Sequence, residues 1–181
     1  MCRPGQPGSV FQTAACKWEI RGRIYSHWHA PRVMGAHSIE WTIISSAVDD
    51  VEMMALALES VLPEGAEIGR ENVKSHHGAR QTVLRSRITR KKDIRGSMSL
   101  VQKGFWNSIL KTGVESRIDE SKFLHARLDL QKFVAGEHVL ANRSRSRHSV
   151  KLRIKIECYP GQEITKEGTS LLRMYAEHAE D

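Results

Sequence analysis

Cysteine is scarce in this chain: Cys2, Cys16 and Cys158 are its three copies, an odd number and far apart. They cannot build a disulfide framework, and unpaired thiols suit a reducing compartment. No stretch approaches the roughly 20 consecutive apolar residues of a membrane-spanning helix. The N-terminus has no apolar core of the secretory kind. The expectation is an intracellular, cytoplasmic protein with no membrane partner.

Chemical motifs are missing as well. The chain has no G-x₄-G-K-[ST], G-x-G-x-x-G or G-x-S-x-G, so nucleotide hydrolysis, dinucleotide binding and α/β-hydrolase chemistry lack support. Cys-x₂-Cys and His-x₃-His spacings are absent, and Cys2, Cys16, His27 and His29 match no zinc-finger spacing. His76 and His77 could meet a metal with Glu71, Asp119 or Asp129, but adjacent strand residues point to opposite faces. Aromatic residues make up 6% of the chain. Trp41, Phe105 and Trp106 read as core, which leaves no aromatic ladder for stacking on bases. These absences predict a protein without a metal, a cofactor or catalysis. A metal-dependent nuclease or phosphotransferase stands third among the readings.

What the chain does have is charge in one place. Residues 80–155 carry 19 Lys and Arg against 6 Asp and Glu, whereas the 181-residue chain nets only +7. Residues 34–79 and 156–181 are acidic. Folding does not require such an asymmetry, but it concentrates polyanions at one surface. Arg143, Arg145, Arg147 and His148 run into Lys151, Arg153 and Lys155. In an extended chain the members two apart share a face at about 6–7 Å per step, near the phosphate spacing of a nucleic-acid strand. A second group is Arg85, Arg87, Arg90, Lys91, Lys92 and Arg95, at a strand-to-helix junction. Basic residues there oppose the helix dipole, a local cost that an anion would offset. His76, His77 and Arg127 are further candidates. The plainer alternatives are a solvated sheet face, a solvated turn, and Arg127–Asp129 or Arg117–Asp119 ion pairs ordering the surface.

Residues 1–33 contain Pro4, Pro7, Pro31 and several glycines without a sustained period. They are expected to be disordered, a transit-like segment, or a mis-called extension before a true start at Met34. Residues 34–181 read as one α+β domain. Ile39–Val48 alternates as a strand. A helix capped by Ser46 or Asp49 follows, with Val51, Met54, Leu58, Val61 and Leu62 on one stripe. Ala66–Lys74 and Gln81–Arg90 form a hairpin around Gly78. Ile94, Met98, Val101, Phe105 and Ile109 predict one helix from Asp93 to about Leu110. Phe123–Leu130 and Val150–Cys158 are strands, and Glu137–Ala141 adds a short one. Gly168–Ala179 is the last helix. This order predicts a two-layer sandwich, helices on a mostly antiparallel, mixed sheet.

The strand, then "DDVEMMALALESVLPEG", "SHHG", "RID", "LHARLDLQKFVAGE" and "VKLRIKI" follow one another in that order. Together, over about residues 38–158, they resemble an archaeal family of RNA-binding, exosome-subunit-like proteins. The resemblance implies a fold similar to that of a 5S-rRNA-binding ribosomal protein. It implies RNA as the partner, rRNA or another structured RNA, with exosome or ribosomal proteins as further partners. A protein-interaction module docking on such a surface is the alternative.

Overall fold

The computed structural model of the protein describes residues 18–20, 23–25, 35–142 and 148–178. The chain divides into two compact units, Met1–Arg32 and Val33–Asp181. In the first, β1 (Trp18–Ile20) pairs antiparallel with β2 (Arg23–Tyr25). Cys2, Cys16, His27 and His29 lie outside the described residues.

The second unit runs β3 (Ala36–Ser46), α1 (Val51–Glu59), β4 (Gly69–Lys74), β5 (Arg80–Ile88), α2 (Lys91–Ser99) and α3 (Lys103–Thr112). A 3-10 turn (Glu115–Arg117), β6 (Phe123–Asp129), α4 (Leu130–Val134), β7 (Ser149–Ile156) and α5 (Ile164–His178) follow. The strands form one sheet in the order β4-β5-β3-β7-β6, with every pairing antiparallel. The expected two-layer α+β arrangement is present, and the sheet is wholly antiparallel rather than mixed.

The longest strand, β3, is central, and alternation turns an apolar stretch of it toward the helices. Ile39, Trp41 and Ile43 are fully buried, and each such side chain contributes about 1.5–3 kcal/mol. The Trp41 Nε1–H donates to Ser97 Oγ at 3.1 Å, and that hydroxyl donates to the Val61 carbonyl at 2.6 Å. One buried chain of hydrogen bonds thus joins β3, α2 and the segment after α1. At the end of β3, Asp49 Oδ2 accepts from the Ser46 N–H and hydroxyl, which closes a turn. Asp50, not Ser46 or Asp49, caps α1 by accepting from the backbone N–H groups of Glu52 and Met53. Asp49 is occupied one residue too early.

The single helix expected from Asp93 to Leu110 is two. Its five apolar residues are all buried, so the period was right. The break has a tertiary cause. The Gln102 N–H donates to His138 Nδ1 at 3.1 Å, and the His138 N–H donates to Gln102 Oε1 at 2.9 Å. Gln102 Nε2 donates to the Gly136 carbonyl. This clamp takes Gln102 out of helical geometry (ψ 138°) and starts α3 anew. The expected strand at Glu137–Ala141 reduces to one bridge, Leu128 with Leu140, because His138 turns toward α3. The last helix begins at Ile164, four residues before Gly168. Gly168 lies inside it because a Cβ there would come within 2.9 Å of Ile156 Cδ1. The glycine marks a close helix–sheet approach rather than a helix start.

His138 predicts an acid response. It is buried, and burial holds its pKa below the ordinary 6.5. Its Nδ1 is an acceptor, so protonation would break the clamp. The unfolded chain takes up this proton before the folded one does. The stability that neutral His138 contributes is therefore complete above about pH 6.5 and is lost as pH falls through the folded-state pKa. Urea melts at pH 7.5, 6 and 5 are expected to show this decline, flattened in His138→Asn. Parallel pH profiles for the two proteins would count against it.

Candidate nucleic-acid interface

Alternation along the strands separates two sets of side chains. Leu84, Ile39, Trp41, Leu152, Ile154, Leu124 and Leu128 are buried under the helices. The opposite face is the exposed one among the described residues. Arg85 and Arg87 from β5, Lys151 from β7, and His125 and Arg127 from β6 are exposed on it. Arg153 and Lys155 are half-buried on the same face.

The strand register sorts them into two rows running across the strands. In one, Arg87 is opposite Glu40, Glu40 opposite Arg153, and Arg153 opposite His125. In the other, Arg85 is opposite Thr42, Thr42 opposite Lys151, and Lys151 opposite Arg127. Neighbouring strands are about 4.8 Å apart, so each row spans about 14 Å.

Each row holds three basic side chains, and Glu40 alone is acidic. Its carboxylate lies 3.4 Å from Arg85 Nε and 3.6 Å from Arg153 Nη1, with 19% side-chain exposure. Arg153 also sets its guanidinium 4.3 Å from the centre of the Phe123 ring, and Lys155 Nζ is 5.4 Å from it. Both distances are within cation–π range. Arg127 and Lys151 differ from these. Among the described residues neither has an ion pair or a side-chain hydrogen bond. Two like charges placed directly opposite across a strand pair repel. A phosphate between them would remove that repulsion.

Beside this pair lies a recess of about 760 Å³, lined among others by Arg117, Asp119, His125, Arg127, Lys151 and Arg153. A tight turn builds its wall. The Asp119 N–H donates to the Phe123 carbonyl, the Phe123 N–H donates to Asp119 Oδ1, and Lys122 takes a positive φ of 66°. The turn folds Asp119 back along β6 and brings Oδ2 to 2.8 Å from His125 Nε2. The hydrogen bond from His125, then that from the Phe123 N–H, hold the Asp119 carboxyl below its usual range.

The other predicted residues are placed elsewhere or differently. Arg90 Nε lies 3.4 Å from Asp93, and Lys91 Nζ donates to both Glu157 oxygens. These two stabilise the start of α2 and its link to the end of β7, while Lys92 and Arg95 are exposed. The Asp93 carboxylate in the first turn offsets the basic residues' conflict with the helix dipole. His76 and His77 are exposed at the tip of the β4–β5 hairpin, ring centres 5.2 Å apart. His148 is exposed just before β7, and Arg143, Arg145 and Arg147 lie outside the described residues. Neither expected ion pair forms. Asp119 takes His125, Arg117 donates to Thr112 Oγ1, and Asp129 caps α4. Among the described residues no three of His, Cys, Asp and Glu converge as a metal site.

Sequence reasoning passed over two participants and gave a third the wrong partner. Glu40 was legible by parity, since it alternates with Ile39 and Trp41. Phe123 shares parity with His125 and Arg127 and so stands on the open face. Asp119 was named only as a partner of Arg117 or of a metal, because its reach to His125 depends on the turn at Lys122.

Glu40 carries a prediction of opposite sign to that of its neighbours. A carboxylate among cations repels phosphate, so Glu40→Gln is expected to tighten single-stranded RNA binding several-fold and steepen its salt dependence. Filter binding at 50–200 mM salt checks it, and weaker binding by a well-folded variant would contradict the open-face assignment.

A family model described as RNA binding matches residues 38–156. A DUF54 protein from Methanothermobacter thermautotrophicus is similar at 28% identity and a TM-score of 0.59, over 80% of this chain and 98% of that one. A DUF54-family protein from Archaeglobus fulgidus, at 21% identity, has a TM-score of 0.62 over 76% of this chain and 98% of its own. One from Sulfolobus solfataricus, at 19%, has a TM-score of 0.57 over the same shares. The latter two speak to the fold alone. No curated protein matches the chain. The match runs from the second residue after β3 begins to the last residue of β7, and so contains every strand of the basic face; the chain belongs to this RNA-binding family.

Proposed function

We propose that this chain binds RNA without catalysis, by seating phosphates on the open face of its sheet. The observation that carries the reading is the set of five Arg and Lys side chains in two rows on a sheet face that no described helix covers, with Arg127 and Lys151 unpaired among the described residues. Arginine forks and lysine ammonium groups offer only donors, and phosphate oxygens only accept. The family membership supports RNA over other polyanions. A role as an accessory to RNA processing or to an exosome, with rRNA or another structured RNA as the ligand, is part of the proposal and rests on the resemblance.

The test is a salt-titrated filter-binding assay with structured RNA, single-stranded RNA and duplex DNA. Four to six phosphate contacts imply a single-strand slope of roughly −3 to −4 in log K against log salt. RNA that stays intact with and without magnesium or manganese is expected. Turnover abolished by His76→Ala would make the protein an enzyme instead.

Protein docking is the second reading, favoured by one observation. Met53 and Leu56 on α1 are 54% and 66% exposed, unusual for large apolar side chains of a helix. On that reading RNA affinity at moderate salt is already weak, and removing Arg127 and Lys151 leaves it unchanged.

A further inference from the structure

We propose that His125, oriented by Asp119, recognises the 2′-hydroxyl of a ribonucleotide whose phosphate lies on Arg127 and Lys151, and so makes this face select RNA over DNA. The inference rests on the RNA-binding reading and adds a specificity-determining residue to it.

The argument is one of donors and acceptors. Arg and Lys side chains only donate, so a face made of them alone reads phosphates and nothing more. RNA and DNA carry the same phosphates. The group that differs is the 2′-hydroxyl, the one hydrogen-bond donor on the sugar–phosphate backbone of RNA. Reading it as a donor requires an acceptor placed among the cations.

The face holds few acceptors. Glu40 is engaged by Arg85 and Arg153. Asp119 Oδ1 is taken by the Phe123 N–H, and Oδ2 faces His125 Nε2 at 2.8 Å. An ionised carboxylate only accepts, so His125 must carry its hydrogen on Nε2. The Asp119 carboxyl is held in the ionised form by its two hydrogen bonds. With that hydrogen on Nε2, the neutral form of the ring presents Nδ1 as an acceptor, and among the described residues nothing donates to it. His125 lines the recess together with Arg127 and Lys151. It is two residues from Arg127 along β6, about 6–7 Å, which is within one nucleotide. A phosphate on the unpaired cations therefore brings its own ribose to the imidazole.

Asp119 acts here as a positioning residue, because it fixes which nitrogen is bare. In Asp119→Asn the side-chain amide can donate to Nε2, so the hydrogen moves to Nδ1 and the acceptor disappears while the ring stays.

The test compares one sequence as single-stranded RNA, DNA and 2′-O-methyl RNA at pH 8 and fixed salt. The 2′-O-methyl strand keeps the oxygen and loses the hydrogen. Wild type is expected to prefer RNA over both others by about five-fold, the worth of one hydrogen bond. His125→Ala should bring RNA down to the DNA level and leave DNA and 2′-O-methyl binding unchanged. Asp119→Asn should reduce the ratio in the same way, which a merely structural carboxylate would not do. Thermal melts confirm that both variants fold, and if His125→Ala does not, the Asp119→Asn ratio decides. Equal binding of RNA and DNA by wild type, or equal weakening of both by the variants, overturns this inference and leaves phosphate binding standing. Failure of every strand to bind overturns it together with the proposed function.

Discussion

Replacing Arg127 and Lys151 together by Ala is expected to weaken single-stranded RNA binding about 25-fold at 0.1 M salt, with no loss of fold. The estimate follows from counterion release. Each phosphate contact contributes a slope of about −0.7, so two contacts are worth about 1.4 log units between 1 M and 0.1 M salt. The same double variant should flatten the salt slope by about 1.4 and act alike on unrelated sequences. Both side chains are exposed and unpaired, so each change should alter stability by no more than about 0.5 kcal/mol. Removal of a repulsive pair would act in the stabilising direction. Lys91→Ala is the informative control. Lys91 is bound to Glu157 at the start of α2, and its loss should leave RNA affinity nearly unchanged. If the control weakens binding as much as the double variant, the anion site lies at the helix start and not on the open face.

Trp41→Ala is expected to bring the domain close to unfolding. Truncating a fully buried tryptophan costs about 3–5 kcal/mol. Losing the Nε1–H donor to Ser97 adds about 1 kcal/mol. A domain of this kind has only about 5–15 kcal/mol in total. The ring also stacks on Phe133, 6.1 Å between centres, so the loss reaches α4. Urea denaturation should show a much lower midpoint, and RNA binding should fall only with the folded fraction. Trp41→Phe keeps most of the packing and should recover more than half of the loss. A Trp41→Ala change below about 1 kcal/mol would mean that β3 is not the centre of the sheet.

How far the sequence foretold this structure depends on the range of the force involved. Strand parity is local, and it placed Lys151, Arg153 and Lys155 on one face. Helical period is local too, and it named Ile94, Met98, Phe105 and Ile109 as core. Parity could not say that Arg127 lies opposite Lys151, because register is set by pairing between strands far apart in sequence. It could not split α2 from α3, since the Gln102–His138 clamp spans 36 residues. The dipole argument at Arg90, Lys91 and Lys92 overlooked the carboxylates of Asp93 and Glu157, one of which comes from the far end of β7. Asp119 was assigned to Arg117 by nearness in sequence, whereas the turn gave it to His125.

The sheet's edges bear on how copies of this protein would share one long RNA. At one edge β4 shows Arg70, Glu71, Asn72 and Lys74 to solvent, and Arg70 is tied back to Glu52 of α1. At the other, β6 is met by bridges from Ile118 and Leu140. A charged border and a partly occupied one both discourage a neighbour from adding its own strand. Molecules side by side on a transcript would not fuse into a continuous ribbon. Each would occupy its own footprint, so coverage would climb with concentration as for independent sites, without the sharp onset that edge-to-edge growth produces.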